Sequence, residues 1–302
     1  MKRGLVLSVS LALALTAAPA EAKKKHRNKA GLGPVVTATA TGAAVSSPGA
    51  LSTASVSCPG RRQAVGGGFS APFGTVGDVE VLSSYRSDPR TWTVDGTPII
   101  GMGPASITGF AYCRRANHKL IDVAGTGQVP TFFPASGSAV ASCPPGARLI
   151  GGGFQSTLGP GPSDRPILTA SLSTAPGRWS VTGISNTIAP ETLTAHAYCM
   201  RGIRAPQILS ATVSEATPQF SSETALAAGC SAPRKPKTKK GRQKPQRLLA
   251  AGGFFTPPPT VGTVAVPVYT DSRLSGGGWL AAAVNIGGDP GTFSVTSQGL
   301  CF

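Results

Sequence analysis

The sequence has few charged residues, few acidic residues and no long hydrophobic run beyond its first 22 positions. Charged residues make up 13% of the 302 positions, about half the usual share, which excludes a long coiled coil. Asp and Glu number 12 against 28 Lys and Arg, which excludes an acidic disordered chain. The absence of a later apolar stretch of about 20 residues excludes a polytopic membrane protein. Since 40% of the residues are hydrophobic, the chain can still bury a core.

Catalytic and metal-binding signatures are also missing. The chain has three His, at positions 26, 118 and 196, and no C-x-x-C, G-x-S-x-G or H-E-x-x-H motif. Without C-x-x-C a thiol redox enzyme is disfavoured, and no compact Cys/His set is present to bind zinc. We predict a non-catalytic protein with no cofactor and no metal site. The alternative is a secreted hydrolase that assembles His196 with a distant acid and a Ser.

The first 22 residues are typical of a secretory signal peptide. Lys2 and Arg3 precede an apolar stretch from Leu5 to Leu15, and Ala20-Glu21-Ala22 offers an A-x-A cleavage site. Eleven residues are too few to span a bilayer. We expect a protein released by general secretion, extracellular or at the cell surface, without a transmembrane segment.

One sequence pattern occurs three times after the signal peptide. Each copy has a Cys, a glycine run ending in Phe, a Trp and a closing Cys. The first cysteines are 85 and 87 residues apart, and the intervals from Trp to closing Cys are 21, 20 and 22 residues. The structural marks of the repeat are Gly67, Phe69 and Trp92 in copy one, Gly152, Phe154 and Trp179 in copy two, and Gly253, Phe254 and Trp279 in copy three.

The copies predict an all-β protein of three homologous antiparallel units, with little helix outside the signal peptide. Short runs of Val, Ile, Thr and Ser alternate with Gly, Pro and Asp breakers, and no helical stripe occurs. The units either form a threefold β-prism or follow one another as small sandwiches. The predicted divisions are a signal peptide 1–22, a basic disordered tail 23–33, and repeats at 34–116, 117–204 and 205–302.

The six cysteines are expected to form disulfides, since a secreted chain enters an oxidising compartment. Pairing within copies joins Cys58 to Cys113, Cys143 to Cys199 and Cys230 to Cys301. The other scheme consistent with the repeat joins neighbouring copies, with Cys113 to Cys143, Cys199 to Cys230 and Cys58 to Cys301. The repeat favours the first scheme.

The glycine runs and the tryptophans suggest a structural relation. The string Gly-Gly-Gly-Phe lacks the Lys and Ser or Thr of a phosphate loop, so we interpret it as a strand that other backbone approaches closely. Our hypothesis is that the single Trp of each copy covers its glycine run. The alternative is that three exposed Trp stack on a ligand.

Two basic runs contain most of the net charge. Residues 23–29 carry +5, while the rest of the mature chain outside the second run carries only +2. The second run is an insertion at 234–247 without apolar residues, and it is expected to be mobile and available to a polyanion. Its cations are Arg234, Lys235, Lys237, Lys239, Lys240, Arg242, Lys244 and Arg247. An anionic partner is therefore expected to meet two flexible arms, not a basic surface of the folded units.

The repeat resembles one found in uncharacterised secreted proteins of high-GC Gram-positive bacteria. The string C-P-x-G, then G-G-G-F, W-x-V and A-Y-C carries the resemblance across residues 55–115 and 140–201; the third copy has Gly299-Leu300 in place of Ala-Tyr. The resemblance implies an exported, disulfide-bonded β domain. A more distant likeness is to the three-repeat β-prism of vitelline membrane outer layer proteins, which implies a prism.

These features together predict a secreted, non-catalytic protein with a binding or structural role in the extracellular space or the cell envelope. An anionic polymer or cell-wall component is the expected partner. Sequence-specific nucleic-acid binding is not expected, because no aromatic residues accompany the basic run. A carbohydrate-binding, lectin-like protein is the alternative.

Overall fold

The fold was analysed in a computed structural model. It describes residues 35–47, 49–72, 79–99, 104–115, 119–157, 165–185, 189–227, 229–230, 249–257, 266–287 and 291–302. The predicted signal peptide, the basic tail 23–33 and the basic run 234–247 lie outside these residues.

The described residues form eighteen strands and no helix, so the all-β prediction is confirmed. Each repeat contributes six strands. Repeat 1 contains β1 Val36–Thr41, β2 Ser52–Ser57, β3 Arg62–Ser70, β4 Val79–Asp88, β5 Thr91–Pro98 and β6 Thr108–Arg115. Repeat 2 contains β7 Ile121–Val129, β8 Ser136–Ser142, β9 Ala147–Ser156, β10 Ile167–Ala175, β11 Arg178–Ile184 and β12 Glu191–Arg201. Repeat 3 contains β13 Gln207–Thr217, β14 Ser222–Ala227, β15 Leu249–Phe255, β16 Pro267–Ser275, β17 Gly278–Asn285 and β18 Gly291–Cys301.

The strands form three six-stranded antiparallel sheets, each shared between two repeats. Sheet I has the order β1-β6-β3-β16-β17-β14, sheet II β2-β5-β4-β9-β12-β7, and sheet III β13-β18-β15-β10-β11-β8. Each repeat thus places its first, third and sixth strands in one sheet and its other three strands in the next. One buried cluster includes residues of all three repeats. The arrangement is a threefold prism, and separate tandem sandwiches are excluded.

The last glycine of each run lies where two repeats join within a sheet. A Cβ on Gly68 would lie 2.1 Å from the carbonyl oxygen of Ser272, and one on Gly253 2.1 Å from that of Ser171. The corresponding distance from Gly153 to the oxygen of Ser84 is 2.5 Å. Each of these serines is on the fourth strand of a different repeat. Only glycine permits this approach, and the three junctions close the ring of repeats.

The preceding glycine of each run lies beneath a buried tryptophan, which confirms the hypothesis of a Trp over each run. A Cβ on Gly67 would lie 2.3 Å from the indole of Trp92, and one on Gly152 2.1 Å from that of Trp179. In repeat 3 the covered residue is Gly252, not Gly253, because Ala251 occupies the first place of the run. Gly253, the repeat mark named from the sequence, lies at the junction with Ser171.

The indole N–H groups connect each tryptophan to the junction. Trp92, Trp179 and Trp279 donate to the hydroxyls of Ser84, Ser171 and Ser272 at 2.9 to 3.0 Å. All three tryptophans are 1% exposed. Ligand stacking on exposed tryptophans is therefore excluded.

Three phenylalanines meet in the interior, one from each repeat. The ring centroids of Phe69, Phe154 and Phe254 are 5.8 to 6.1 Å apart, with each pair edge to face. Such geometry is favourable for aromatic rings beyond the burial of their surface. The two small cavities that these rings line measure about 10 Å³ each, room for about one water molecule. The centre of the prism is therefore packed core and not a ligand site.

Each disulfide connects two different sheets. The pairs are Cys58–Cys113, Cys143–Cys199 and Cys230–Cys301, which is the within-copy scheme. Cys58 follows a strand of sheet II and pairs with sheet I; the second bridge joins sheets III and II, and the third joins sheets I and III. All three edges of the prism are thus covalently tied.

The third repeat replaces the closing tyrosine by a different residue that makes the same hydrogen bond. The hydroxyls of Tyr112 and Tyr198 accept from the amides of Leu274 and Arg86, both at 2.7 Å. In repeat 3 the side chain of Gln298 accepts from the amide of Ser173 at 2.8 Å. Its own amide group donates back to the Ser173 carbonyl at 3.1 Å. Leu300 stands at the position of the closing tyrosine, and Gln298 lies two residues before it. The backbone amide of Ser173 is therefore hydrogen-bonded from a neighbouring position of the same strand.

Substitution of Gly152 by Ala should destabilise the protein strongly, because the new methyl group would enter the Trp179 ring. We expect a loss of about 3 kcal/mol in the free energy of unfolding, measured by denaturant titration with the disulfides intact. Gly202→Ala is the matched control: it has a positive φ of 77° but no neighbour within 4 Å, so about 1 kcal/mol is expected. Equal costs for the two variants would contradict the close packing.

Peptide mapping without reduction should recover three cross-linked pairs, each within one repeat. The double variant Cys143→Ser with Cys199→Ser should lower the free energy of unfolding by about 4 kcal/mol, since this bridge closes a loop of 56 residues. A cross-linked peptide that joined two repeats would contradict the pairing.

Candidate functional site

The three disulfides lie at one end of the prism, here called the disulfide end. It comprises the turns at 58–61, 89–90, 143–146, 176–177 and 276–277 together with the last residues of β6, β12 and β18. Backbone hydrogen bonds join these parts, for example from Cys58 to Arg90 at 2.8 Å and from Cys143 to Gly177 at 2.8 Å. The links from β6 to β7 and from β12 to β13 lie at the same end, because Ile121 pairs with Cys199 and Gln207 with Cys301.

Cations of the described residues are concentrated at the disulfide end. Three arginines form the ion pairs found among these residues, namely Arg86–Asp122, Arg165–Glu80 and Arg273–Asp271. The remaining ten cations all lie at the disulfide end: Arg61, Arg62, Arg90, Arg114, Arg115, Lys119, Arg148, Arg178, Arg201 and Arg204. Asp88 and Asp122 are the acidic residues that the described ranges place there. This end is therefore strongly positive although the folded units are almost neutral in total.

The described residues nearest in sequence to both basic runs lie at this end. The run 234–247 lies between Cys230 and Leu249, and each of these contacts Cys301, by a disulfide and by strand pairing respectively. The run at 23–29 precedes Val36, which pairs with Cys113. The expectation of two basic arms without a basic surface is therefore corrected. The disulfide end is itself a basic surface of the folded part, formed by the ten cations named above.

A signal for this surface was present in the sequence but was missed. The pairs Arg61-Arg62 and Arg114-Arg115 each follow a cysteine closely, and these two cysteines form one disulfide. The predicted pairing therefore already placed four arginines together. The net charge of the whole folded part did not show this cluster, because acidic residues elsewhere in the fold offset its positive charge.

The His196 ring lies against aromatic rings and a side-chain amide. The imidazole stacks on Tyr85 with centroids 5.3 Å apart and lies 6.5 Å from Tyr198. Its Nε2–H donates to Gln155 Oε1 at 2.8 Å. Burial lowers the pKa of His196 to about 4, so the ring is neutral at ordinary pH. The hydrogen-bond partner of His196 is thus an amide, and His26 and His118 lie outside the described residues.

The opposite end of the prism exposes three phenylalanines among its described residues and also carries acidic residues, among them Glu191 and Glu215. Phe132 and Phe133 in one turn and Phe220 in the equivalent turn of repeat 3 are 65%, 46% and 50% exposed. The buried Glu80 and Arg165 form an ion pair near this end, and burial raises the pKa of the Glu80 carboxyl despite that pairing. The prism thus has two chemically different ends.

Other kinds of site are not found in the described ranges. No group of three or more His, Cys, Asp or Glu there could hold a metal ion. The same residues include no helix long and apolar enough to cross a membrane. Comparison with protein-family models and with curated proteins found no match. The cationic disulfide end is therefore the candidate site with the clearest chemistry.

Protonation of His196 should destabilise the folded protein as the pH falls. Its pKa is about 4 when folded and about 6.5 when unfolded, so the contribution is complete above pH 6.5 and is lost as pH decreases toward 4. The variant His196→Phe, which copies Phe110 of repeat 1, should lack this part of the dependence. The measurement is the difference in melting temperature between the two proteins across pH 4 to 7. A constant difference would contradict the burial of the ring.

Proposed function

We propose that this protein is a secreted, non-catalytic binding protein of the extracellular space or cell envelope that holds anionic polymers at its disulfide end. The observation that carries the proposal is the placement of ten described cations at that end, beside the attachment points of both basic runs. Three disulfides indicate an oxidising, extracellular setting. The resemblance to exported, disulfide-bonded bacterial repeats agrees with this setting.

The charge distribution favours a long anionic partner over a small one. Nine of the ten cations at the disulfide end are exposed or half-buried, and they stand in turns, in links between repeats or at the strand ends beside them. A polymer that crosses this end can contact several of them at once, whereas a single anion meets only a few. Multiple weak contacts with released counterions give a strong dependence on salt.

The chemistry of the disulfide end does not favour a base-specific partner. Among the aromatic residues close to it, Trp92, Trp179, Tyr112 and Tyr198 are fully buried and unable to stack on nucleobases, and the half-buried Phe302 packs against the core. Arginine recognises phosphate and carboxylate groups through paired N–H donors. The expected partners are therefore polymers with repeated anionic groups, such as an anionic wall polymer or a charged polysaccharide.

Removal of cations from the disulfide end should weaken polymer binding more than an equal change of charge elsewhere. We expect the triple variant Arg178→Gln, Arg201→Gln and Arg204→Gln to bind heparin and polyphosphate at least tenfold more weakly than the parent protein. Each lost contact should reduce the slope of log K against log salt by somewhat less than one unit. Deletion of 234–247 should cause a further loss.

The matched control lowers the net charge by the same three units at exposed positions away from the disulfide end. Its substitutions are Thr126→Glu, Gln128→Glu and Gln219→Glu. Binding by this control should fall less than threefold. Equal losses in the two triple variants would show that total charge alone governs binding, and unchanged binding in the first would also contradict the proposal.

A further inference from the structure

The outer face of sheet II has a pair of stacked rings where repeats 1 and 2 join. Tyr85 of β4 and His196 of β12 stand on either side of Gly153: His196 is paired with it in the register, and a Cβ on Gly153 would lie 3.0 Å from the Tyr85 Cα. Because glycine has no side chain, the two rings meet across it, with centroids 5.3 Å apart and planes inclined by 20°. Both side chains are half-buried, so part of the ring pair remains exposed.

A row of polar side chains runs across sheet II beside the ring pair. Strand pairing places one residue from each of the six strands in this row, which from β2 to β7 consists of Thr53, Asp95, Ser83, Gln155, Thr194 and Thr126. Val94, Phe154 and Ala195 alternate with members of the row and belong to the buried cluster, so the row faces outward. Apart from the buried Ser83, its members are exposed or half-buried.

Two members of the row retain hydrogen-bonding capacity for a ligand. The carboxylate oxygens of Asp95 accept from the hydroxyls of Thr53, at 2.7 Å, and of Ser83, which fixes the group and leaves each oxygen a further lone pair. Gln155 Oε1 is bonded to His196 Nε2 at 2.8 Å, and no partner for the NH2 group of Gln155 is found among the described residues. A fixed acceptor and a double donor therefore stand beside the rings, two strands apart.

The corresponding part of sheet I has different chemistry. Arg273 stands at the place of Tyr85, and its guanidinium carbon lies 5.5 Å from the centroid of the Phe110 ring. The same guanidinium is paired with Asp271 at 2.8 Å. The carboxylate of this face is therefore already bound by a cation of the protein.

The corresponding part of sheet III lacks aromatic rings and a free amide. Leu172 stands there at the place of Tyr85, and Gln298 is paired with Gly253 as His196 is with Gly153. The Gln298 side chain is hydrogen-bonded to the backbone of Ser173 through both its oxygen and its NH2 group. The prism can therefore be built without the combination found in sheet II, which folding does not explain.

We propose that this part of sheet II, formed by Tyr85, Asp95, Gln155 and His196, is a binding site for a neutral saccharide chain. The apolar face of a sugar ring can pack on exposed aromatic surface, while its hydroxyls donate to a carboxylate and accept from an amide. Asp95 is the ionised member of the row, so an anionic ligand is disfavoured there. The row offers polar groups about 5 Å apart across the strands, which suits a chain of sugar units more than a single one. The inference goes beyond the proposed function, because it gives the protein a second, uncharged ligand on a face of the prism.

The test measures binding of the neutral oligosaccharides cellotetraose, chitotetraose, maltotetraose and mannotetraose to the purified protein by calorimetry. Sodium chloride at about 0.5 M screens the cations of the disulfide end. We expect the parent protein to bind at least one of these probes. Tyr85→Leu, which copies Leu172 of repeat 2, should bind that probe at least tenfold more weakly. Arg273→Leu makes the same replacement at the corresponding place of sheet I and should change binding less than twofold.

A second pair of variants tests the polar row. Asp95→Thr copies Thr182, the corresponding residue of repeat 2, which is hydrogen-bonded to Ser138 at 2.9 Å. This variant should also bind at least tenfold more weakly. Asp271→Ser copies Ser83 and removes one acid from the corresponding row of sheet I, and less than a twofold change is expected. The melting temperature of each variant checks its folding, and Asp95→Thr decides the test if Tyr85→Leu does not fold.

The outcomes separate this site from the proposed function. A parent protein that binds none of the named oligosaccharides would overturn the site, as would equal losses in Tyr85→Leu and Arg273→Leu. Oligosaccharide binding that falls in the triple variant Arg178→Gln, Arg201→Gln and Arg204→Gln but not in Tyr85→Leu would assign the sugar to the disulfide end and also overturn it. Heparin binding should be unchanged in Tyr85→Leu, and its loss in the triple variant supports the proposed function whichever result the oligosaccharides give.

Discussion

The structure depends on how closely strands approach one another at three runs of glycine. One glycine of each run leaves space for a tryptophan from the next sheet, and the following glycine leaves space for the backbone of another repeat. A side chain at either position would collide with an aromatic ring or with a carbonyl oxygen. The serine that accepts from each indole also supplies the carbonyl at the junction. The packing of the core and the closure of the ring of repeats therefore depend on the same glycine runs and the same serines.

The exposed charged and aromatic residues that distinguish the prism lie at its ends, because its interior is filled by packed side chains and its sheets by paired strands. The three central phenylalanines and the three tryptophans are buried, and the two cavities lined by these rings have room for about one water molecule each. The disulfides lie at one end, where turns, links between repeats and strand ends supply exposed side chains. Most of the cations stand in or beside these turns, and the buried ion pair of Glu80 and Arg165 lies toward the other end. This separation of charge underlies the proposed binding of polyanions.

Much of the fold could be predicted from the sequence because the repeat marks carry structural meaning. Cysteine spacing gave the within-copy disulfides, and the single Trp of each copy indicated what covers the glycines. The sharing of sheets between repeats could not be derived from the sequence. Each junction consists of only two residue pairs, one of them Ser84 with Phe154, and the paired residues come from distant parts of the chain. The sequence also did not show that Gln298 takes over the hydrogen bond of the closing tyrosine, because Gln298 stands two positions before the place of that tyrosine. At the candidate site the basic runs were evident, whereas the gathering of ten cations at one end emerges only from the arrangement of turns and strand ends in the fold.

Sharing of every sheet between two repeats fixes the number of repeats. A chain with two copies would leave half-sheets with open edges and an uncovered aromatic core, and a fourth copy would have no half-sheet left to complete. The first and third copies are as closely joined as the other neighbours, through Ser272 and Phe69. This architecture therefore cannot gain or lose single copies, as linear repeat proteins commonly do. Divergence has to proceed within a fixed ring, where one copy can acquire a basic insertion and another a buried arginine while the third retains the common packing.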